Sequence, residues 1–168
     1  MKLLITGGAG FVGTRLAQAL LARGALDGRR IERVVLADQV APRPEMLADP
    51  RVEARTSPLL AACEALRDEP FDGVFHLASA VSGECEADFD LGLRSNLDST
   101  RALLDALRHR AQQGHAPTRL VFSSSVAVFG PDPAQPWTGF VADHTLPTPQ
   151  TSYGTQKLIC EHLIADYT

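Results

Sequence analysis

The chain has 168 residues, of which 45% are hydrophobic and 21% charged, and its formal net charge is −4. This length and composition are typical of one globular domain with a buried core. The small negative charge argues against binding to nucleic acid or to an anionic membrane surface, and no apolar stretch reaches the roughly 20 residues that span a bilayer. Cys63, Cys85 and Cys160 lack metal-ligand spacing, and we interpret them as reduced thiols of a cytoplasmic protein.

The chain begins with a strand, a glycine-rich turn and a helix. The apolar run at residues 2–6 predicts the strand, and the amphipathic stretch at 14–23 predicts the helix. Between them the glycines fall as Gly7-x-x-Gly10-x-x-Gly13. In a nucleotide site such glycines allow a tight turn with positive φ, close approach of the backbone to pyrophosphate, and close packing of helix on strand. The pyrophosphate then lies at the helix N-terminus. On its own, the pattern also fits an ordinary tight turn.

Four more strands follow, each a short and nearly continuous apolar run. They are predicted at residues 33–38, 52–56, 71–78 and 119–123. Apolar residues at helical spacing predict further helices, which lie at 59–67, 91–110 and 152–167, the last with Ser152 as its N-cap. Alternating strands and helices, with the strands apolar throughout, predict an α/β fold with a doubly wound parallel sheet covered on both faces. In this Rossmann-type fold the five strands take the order 3-2-1-4-5.

The remaining segments are predicted to be turns and loops. Residues 24–30 are polar, and residues 40–50 contain three prolines. Residues 130–151 contain five prolines and Trp137, and we predict an ordered loop there.

An acidic residue ends the second predicted strand. Asp38 follows Gly13 by 25 residues. In this fold an acid at that position hydrogen-bonds the ribose hydroxyls of the adenosine and repels a 2′-phosphate. Together with the glycine turn, Asp38 therefore favours NAD as the cofactor. Arg43 lies near enough to leave NADP open, and an acid in a strand-end turn is the purely structural alternative.

Tyr153 and Lys157 are four residues apart in the last predicted helix, so they lie on one face, one turn apart. A tyrosine in water has a pKa of about 10 and is a poor base near neutrality. A nearby ammonium favours the phenolate and makes the phenol a better base. The pair therefore suits removal of a hydroxyl proton as hydride leaves the same carbon. A surface tyrosine beside a solvated lysine is the alternative for this pattern taken alone.

Three consecutive serines, Ser123, Ser124 and Ser125, follow the fifth predicted strand. In doubly wound sheets, ligands bind outside the carboxyl ends of the strands. A serine there can hold a substrate oxygen beside the helix that carries Tyr153 and Lys157. Strand termination is the alternative role, and it accounts for Ser123.

In combination, these motifs resemble the extended short-chain dehydrogenase/reductase family, in its NAD-dependent epimerase/dehydratase group. The resemblance implies that Tyr153 is the general base, that Lys157 assists it and contacts the nicotinamide ribose, and that Ser125 orients the substrate hydroxyl. It also implies a set of residues that contact NAD. They are Gly7, Gly10, Phe11, Val12, Gly13, Asp38, Leu77, Ala78, Ser79, Asn96, Tyr153 and Lys157. His76 belongs to a strand end in the family pattern, so we interpret it neither as catalytic nor as a metal ligand, and we predict no metal site.

Within this family, three segments are similar to a subgroup that oxidises the C2 hydroxyl of D-erythronate, a four-carbon sugar acid, with NAD. The segments are residues 36–39, 78–92 and 148–157. The similarity implies a small sugar-acid substrate. It makes Ser82 a candidate substrate contact, alongside Ser125 and Tyr153, with an ordinary loop serine as the alternative.

Members of the family continue for roughly as long again, so we expect a sixth strand and a C-terminal substrate domain to be absent from these 168 residues. The family also pairs helices in homodimers, which here implies contact through the helices at 91–110 and 152–167. Three functions stay open: a sugar-acid dehydrogenase, an NAD-dependent UDP-sugar epimerase, and a protein that binds NAD without chemistry. Phe129 replaces a tyrosine common in the epimerases, and the Ser125, Tyr153 and Lys157 set argues against the third function.

Overall fold

The computed structural model of the protein describes residues 1–132, 134 and 140–168. The strands are β1 (Lys2–Thr6), β2 (Ala25–Leu26), β3 (Arg29–Arg30), β4 (Arg33–Asp38), β5 (Val52–Thr56), β6 (Gly73–His76) and β7 (Arg119–Phe122). The helices are α1 (Phe11–Arg23), α2 (Pro44–Leu47), α3 (Leu59–Leu66), α4 (Ser82–Ala87), α5 (Phe89–Gly92), α6 (Ser99–Gln112) and α7 (Ser152–Asp166). A π-helical stretch, Leu93–Asp98, joins α5 to α6, and a 3-10 turn spans Val126–Val128.

These elements form two compact units. The first contains Met1–Ser79 and Ala102–Ser123, and the second contains Ala80–Arg101 and Ser124–Thr168. The assignment of residues 1–168 to a single NAD-binding domain stays a prediction.

The first unit is built on a five-stranded parallel sheet in the order β5-β4-β1-β6-β7. This confirms the predicted α/β fold and the 3-2-1-4-5 order of its five main strands. In register, Thr6 at the end of β1 lies opposite Ala37 of β4 on one side and His76 of β6 on the other. The carboxyl ends of these three central strands therefore meet at one edge of the sheet.

Alternate residues of the central strands enter two separate cores. On β1, Leu3 and Ile5 pack with Ala17 and Leu20 of α1 on one face of the sheet. Leu4, between them, packs on the opposite face with residues of α3 and α6. Successive side chains of a strand point to opposite faces, and here both faces are covered by helices. This is why the strands read as continuous apolar runs.

The second unit contains α4, α5, the π-helical stretch, the 3-10 turn and α7. The predicted N-cap of α7 is wrong by one residue: the cap is Thr151, whose Oγ1 accepts a hydrogen bond from Gly154 N at 3.0 Å. The Ser152 hydroxyl is used within the helix instead, where it accepts from Gln156 Nε2 at 3.0 Å.

Two predicted irregular segments contain regular structure. The polar turn at 24–30 is a small antiparallel hairpin of β2 and β3, and the loop at 40–50 includes the single turn of α2. The helix predicted at 91–110 is observed as three consecutive helical elements, which are α5, the π-helical stretch and α6. Short elements of this kind are held by their surroundings and leave little periodicity in the sequence.

A hydrogen bond joins the two ends of the loop predicted at 130–151: Thr148 Oγ1 donates to Gly130 O at 2.8 Å. Trp137 and its neighbours lie outside the described residues, so the order predicted there is untested. Among the helices in the described part of the chain, none has the length and apolar character to cross a membrane. Within residues 1–132, 134 and 140–168, no group of three or more His, Cys, Asp and Glu side chains is placed to hold a metal ion.

Candidate active site

The glycine turn after β1 depends on the absence of side chains at several of its glycines, among them Gly7 and Gly13. Gly7 has a φ of +68°, and a Cβ on it would lie 2.8 Å from Ala78 N. A Cβ on Gly13 would lie 2.2 Å from Gly7 O, so the first turn of α1 packs directly on the turn backbone. Gly10 is different, because a Cβ there would meet only Gly7 O, at 3.2 Å. Its outer side is open, as close approach of a ligand requires.

The N-terminus of α1 is suited to an anion. The N-cap of α1 is Gly10, which has no side chain to accept from the helix N–H groups, and the first turn of α1 contains no acidic residue. Phe11 and Val12, the next two residues, are 82% and 62% exposed although they are apolar. Unpaired N–H groups and the helix dipole favour a phosphate at such an end. The residues present at this turn therefore fit a dinucleotide pyrophosphate.

Asp38 lies at the end of β4, next to the glycine turn. Its Oδ2 accepts a hydrogen bond from Ala9 N at 2.9 Å, and its Oδ1 accepts one from Val40 N at 3.3 Å. Asp38 remains partly exposed. The carboxylate thus supports the turn and is also placed at the strand end, where an acid can meet a ribose.

The residues that follow β6 are organised by Thr6. Its Oγ1 accepts hydrogen bonds from Leu77 N and Ala78 N, both at 3.2 Å, and lies 2.6 Å from His76 Nδ1. The Thr6 side chain therefore ties the end of β1 to the end of β6 and to the two residues that follow it. His76 is 1% exposed. It therefore acts as a buried support for this strand end, beside the predicted cofactor residues Leu77, Ala78 and Ser79.

In the second unit, α7 carries the predicted base and its lysine. Lys157 Nζ lies 5.7 Å from the centre of the Tyr153 ring, within the range of a cation–π contact. Tyr153 is partly buried, and its backbone N–H donates to Glu86 Oε1 at 3.1 Å. Lys157 is only 3% exposed, and burial lowers the pKa of its ammonium. A lysine so withdrawn from water does not fit the alternative of a solvated surface residue.

Ser125 is held near the start of α7. Its Oγ accepts a hydrogen bond from Ala127 N at 3.1 Å, which caps the 3-10 turn. A Cβ on Gly154, the residue after Tyr153, would lie 2.1 Å from Ala127 O. The two backbones are therefore in direct contact, and the second unit brings the segments of Ser125 and Tyr153 together. Ser124, in contrast, donates to Glu161.

Asn96 and Ser82 occupy different surroundings in this unit. Asn96 is 2% exposed, and its Oδ1 accepts a hydrogen bond from Ala80 N at 2.7 Å. Ser82 is exposed at the first position of α4. The roles of Asn96 toward a cofactor and of Ser82 toward a substrate stay predictions.

Three supporting residues were not anticipated from the sequence: Thr6, Glu86 and Gln156. A threonine at the end of a buried strand is a weak signal for Thr6, because a side-chain hydroxyl in that place needs a partner. Glu86 and Gln156 act across contacts distant in sequence, for which the residue pattern offers no signal.

The sheet order and the glycine turn between β1 and α1 define a Rossmann-type α/β protein. The chain belongs to the NAD dependent epimerase/dehydratase family, whose model matches residues 3–168. This confirms the family resemblance seen in the motifs.

Two curated relatives are D-erythronate dehydrogenases. The one from Cupriavidus necator is 48% identical over 100% of the chain and 51% of its own length. The one from Haemophilus influenzae is 42% identical over 100% of the chain and 50% of its own length. The chain thus spans about half the length of these relatives.

Solved structures agree in fold. A nucleoside-diphosphate-sugar epimerase from Agrobacterium tumefaciens superposes with a TM-score of 0.87 at 44% identity, covering 99% of the chain and 48% of the other protein. The UDP-glucose 4-epimerase of Thermus thermophilus, solved in complex with NAD, gives 0.78 at 29% identity, covering 99% and 50%.

Proposed function

We propose that the protein oxidises the C2 hydroxyl of a small sugar acid with NAD, converting D-erythronate to 2-oxo-D-erythronate. The observation that carries this proposal is the Tyr153–Lys157 pair on α7, with the lysine amine buried beside the phenol ring. A phenol beside a fixed ammonium is the kind of group that takes a proton from an alcohol. The choice of substrate is supported by the two D-erythronate dehydrogenases at 48% and 42% identity.

In this reaction, the residues of the second unit handle the proton. Tyr153 removes the proton from the C2 hydroxyl, and the C–H bond at C2 breaks as its electron pair leaves with the hydrogen. The result is a carbonyl at C2 and a protonated Tyr153. Lys157 holds its amine beside the Tyr153 ring, and Ser125 orients the hydroxyl by a hydrogen bond.

Bound NAD would supply the hydride acceptor, at nicotinamide C4. The chain's own part is to hold the dinucleotide at the uncapped N-terminus of α1, with Gly10 leaving room for the pyrophosphate. Asp38 accepts hydrogen bonds from the adenosine ribose and disfavours a 2′-phosphate. Leu77, Ala78 and Ser79 would line the cofactor.

A homodimer formed through the helices predicted at 91–110 and 152–167 stays a prediction.

A second candidate is an epimerase of UDP-sugars that returns the hydride to the other face of the substrate. It is supported by the 44% identity to the epimerase structure from Agrobacterium tumefaciens and by the UDP-glucose 4-epimerase of Corynebacterium glutamicum, at 33% identity. The two candidates differ in net chemistry, since only the dehydrogenase releases NADH in proportion to substrate.

The test is the formation of NADH by this chain from a panel of four- to six-carbon sugar acids. UDP-glucose is included, with its epimer as the product to be measured. The dehydrogenase predicts stoichiometric NADH with D-erythronate and none with UDP-glucose. Interconversion of UDP-sugars without net NADH would favour the epimerase, and reduction of NAD by none of the acids would refute the proposed function.

Tyr153→Phe provides the internal control, because it removes the phenol oxygen and keeps the ring. The chain has two tyrosines, and Tyr167→Phe, at the end of α7, is its matched partner. A general base contributes about 10²–10⁴-fold to a rate. We expect a loss of that size for Tyr153→Phe and none for Tyr167→Phe.

A further inference from the structure

A chain of buried amides links the candidate base helix to the segment that precedes Ser82. Gln156 Oε1 accepts a hydrogen bond from Asn96 Nδ2 at 2.8 Å, and Gln156 Nε2 donates to Ser152 Oγ at 3.0 Å. At the other end, Asn96 Oδ1 accepts from Ala80 N at 2.7 Å. These hydrogen bonds therefore connect Ser152, next to Tyr153, with Ala80, two residues before Ser82.

Both amides of this chain are withdrawn from water. Gln156 is 1% exposed and Asn96 is 2% exposed. Burial of an amide is unfavourable unless its hydrogen-bonding groups are satisfied, and a satisfied buried network rigidifies the elements that it joins. An apolar residue would fill the same space between the helices without directional bonds. The amides thus specify one geometry of α7 relative to residue 80.

The backbone around Gln156 is shaped to receive its side chain. A Cβ on Gly92 would lie 2.6 Å from Gln156 Nε2 and 3.1 Å from Cys85 Cβ, so only glycine leaves room for the amide. Asn96 itself lies in the π-helical stretch Leu93–Asp98. Single π turns within α-helices are rare and occur frequently at functional sites. A glycine and a π turn beside the same amide pair indicate that its placement is specific.

The position of Gln156 along α7 connects this network to the candidate chemistry. It directly precedes Lys157 and lies one turn from Ser152, and Lys157 is buried with it. A rotation of α7 that broke the Gln156–Asn96 bond would move both Tyr153 and Lys157. Small displacements of reacting groups are costly, since about 1 Å changes a rate by about 10²-fold.

We propose that Gln156 is a positioning residue, which sets Tyr153 and Lys157 against the segment from Ala80 to Ser82 through its hydrogen bond to Asn96. This inference rests on the proposed function, because it assigns the base to Tyr153 and a substrate contact to Ser82. It assigns to Gln156 no contact with substrate or cofactor.

The main variant is Gln156→Leu, which keeps the size of the side chain and removes both hydrogen bonds. Its matched control is Thr155→Val, the exposed neighbour whose Oγ1 donates only to Thr151 O within the same helix turn, at 2.9 Å. Gly92→Ala is a second variant, since it displaces the amide without altering Gln156. Each is measured for kcat, for KM of NAD and of D-erythronate, and for the hydrogen exchange rate of the Ala80 amide by NMR.

We expect Gln156→Leu to lower kcat by about 10²-fold, with the KM of NAD unchanged and with faster exchange at Ala80. Gly92→Ala is expected to act in the same direction, and Thr155→Val to match the wild type. A double-mutant cycle compares Gly92→Ala, Gln156→Ala and the variant that combines them. The losses of kcat are expected to be less than additive, because the shortened side chain at position 156 no longer meets the new methyl group at position 92. Additive effects would contradict the proposed pairing.

The inference is overturned if Gln156→Leu keeps the wild-type kcat and Ala80 exchange rate, or if its loss of kcat follows the unfolded fraction seen by circular dichroism. Failure of the proposed function is recognised separately, as no NADH from the wild type or equal rates for the wild type and Tyr153→Phe. In that event the exchange rate at Ala80 still decides whether Gln156 holds this segment.

Discussion

Asp38 Oδ2 accepts a hydrogen bond from the backbone N–H of Ala9 at 2.9 Å, so the acid at the end of β4 is tied to the glycine turn that follows β1. The carboxylate therefore has two separable roles. One is to hold the turn, and the other is to present a negative charge where the adenosine ribose of NAD is proposed to lie. An amide in place of the acid keeps the first role and loses the second.

We expect Asp38→Asn to retain the wild-type Tm, because the amide oxygen can still accept from Ala9 N. Its preference for NAD over NADP is expected to fall about tenfold, which corresponds to 1.4 kcal/mol, since the repulsive charge is lost. Asp38→Ala is expected to destabilise the fold by about 1–3 kcal/mol. Isothermal titration with both cofactors and thermal unfolding measure the two effects. Equal cofactor preference in the wild type and Asp38→Asn would contradict the assignment.

The glycines of the turn predict different outcomes for the same substitution. Gly13→Ala places a Cβ 2.2 Å from Gly7 O, and we expect it to destabilise the fold by about 1–3 kcal/mol through overpacking. Gly10→Ala meets only one atom, at 3.2 Å, so its unfolding temperature is expected to stay near that of the wild type while NAD binding weakens. Thermal melts with and without NAD separate the two. A Gly10→Ala protein with wild-type affinity would place the pyrophosphate elsewhere.

The chain has two lysines, and their environments predict opposite effects of replacement by methionine. Burial lowers the pKa of Lys157, so its charge costs stability at every pH below that pKa, and the cost disappears as the pH rises toward the unfolded value of about 10.4. We expect Lys157→Met to lose kcat by about 10²-fold or more and to raise the Tm at neutral pH. Lys2→Met removes a partner of Glu69 and is expected to lower the Tm with kcat unchanged. A lower Tm for Lys157→Met would contradict this account.

An ion cluster formed by Lys2, Arg55 and Glu69 predicts acid sensitivity. Glu69 pairs with Lys2 and Arg55. Burial alone would raise the pKa of Glu69, but hydrogen bonds from Arg55 and Lys2 outweigh it, and the folded pKa lies below 4.5. Stability from this group is therefore present above about pH 4.5 and is lost as the pH falls through the folded pKa. We expect Glu69→Gln to lower the Tm at neutral pH and to flatten its decline between about pH 5 and pH 3. Parallel pH profiles for the variant and the wild type would show that the cluster contributes nothing.

The sheet and the glycine turn could be predicted from the sequence because their signals are local. Leu3, Leu4 and Ile5 form a continuous apolar run since both faces of β1 are covered. Gly7 is favoured by its own positive φ of +68°, and Gly13 by the backbone of the same turn, since its Cβ would lie 2.2 Å from Gly7 O. Each of these constraints acts within a few residues along the chain.

The supporting contacts were not readable, because they join residues far apart in sequence. The bond from Asn96 to Gln156 spans 60 residues, and the one from Tyr153 N to Glu86 spans 67. The N-cap of α7 was misplaced because Thr151 and Ser152 are both good caps and only the backbone conformation selects between them. The π-helical stretch at Leu93–Asp98 has the apolar spacing of an ordinary α-helix. Its wider i→i+5 hydrogen bonding therefore could not be predicted from the sequence.

The central claim is that a hydride leaves C2 of a sugar acid as Tyr153 takes the hydroxyl proton. It is tested most directly with D-erythronate carrying deuterium at C2, followed by mass spectrometry of the reduced cofactor. We predict one deuterium at nicotinamide C4 in the wild type and about 10²–10⁴-fold slower labelling in Tyr153→Phe. Reduced cofactor without deuterium, or equal labelling rates in the two proteins, would contradict it.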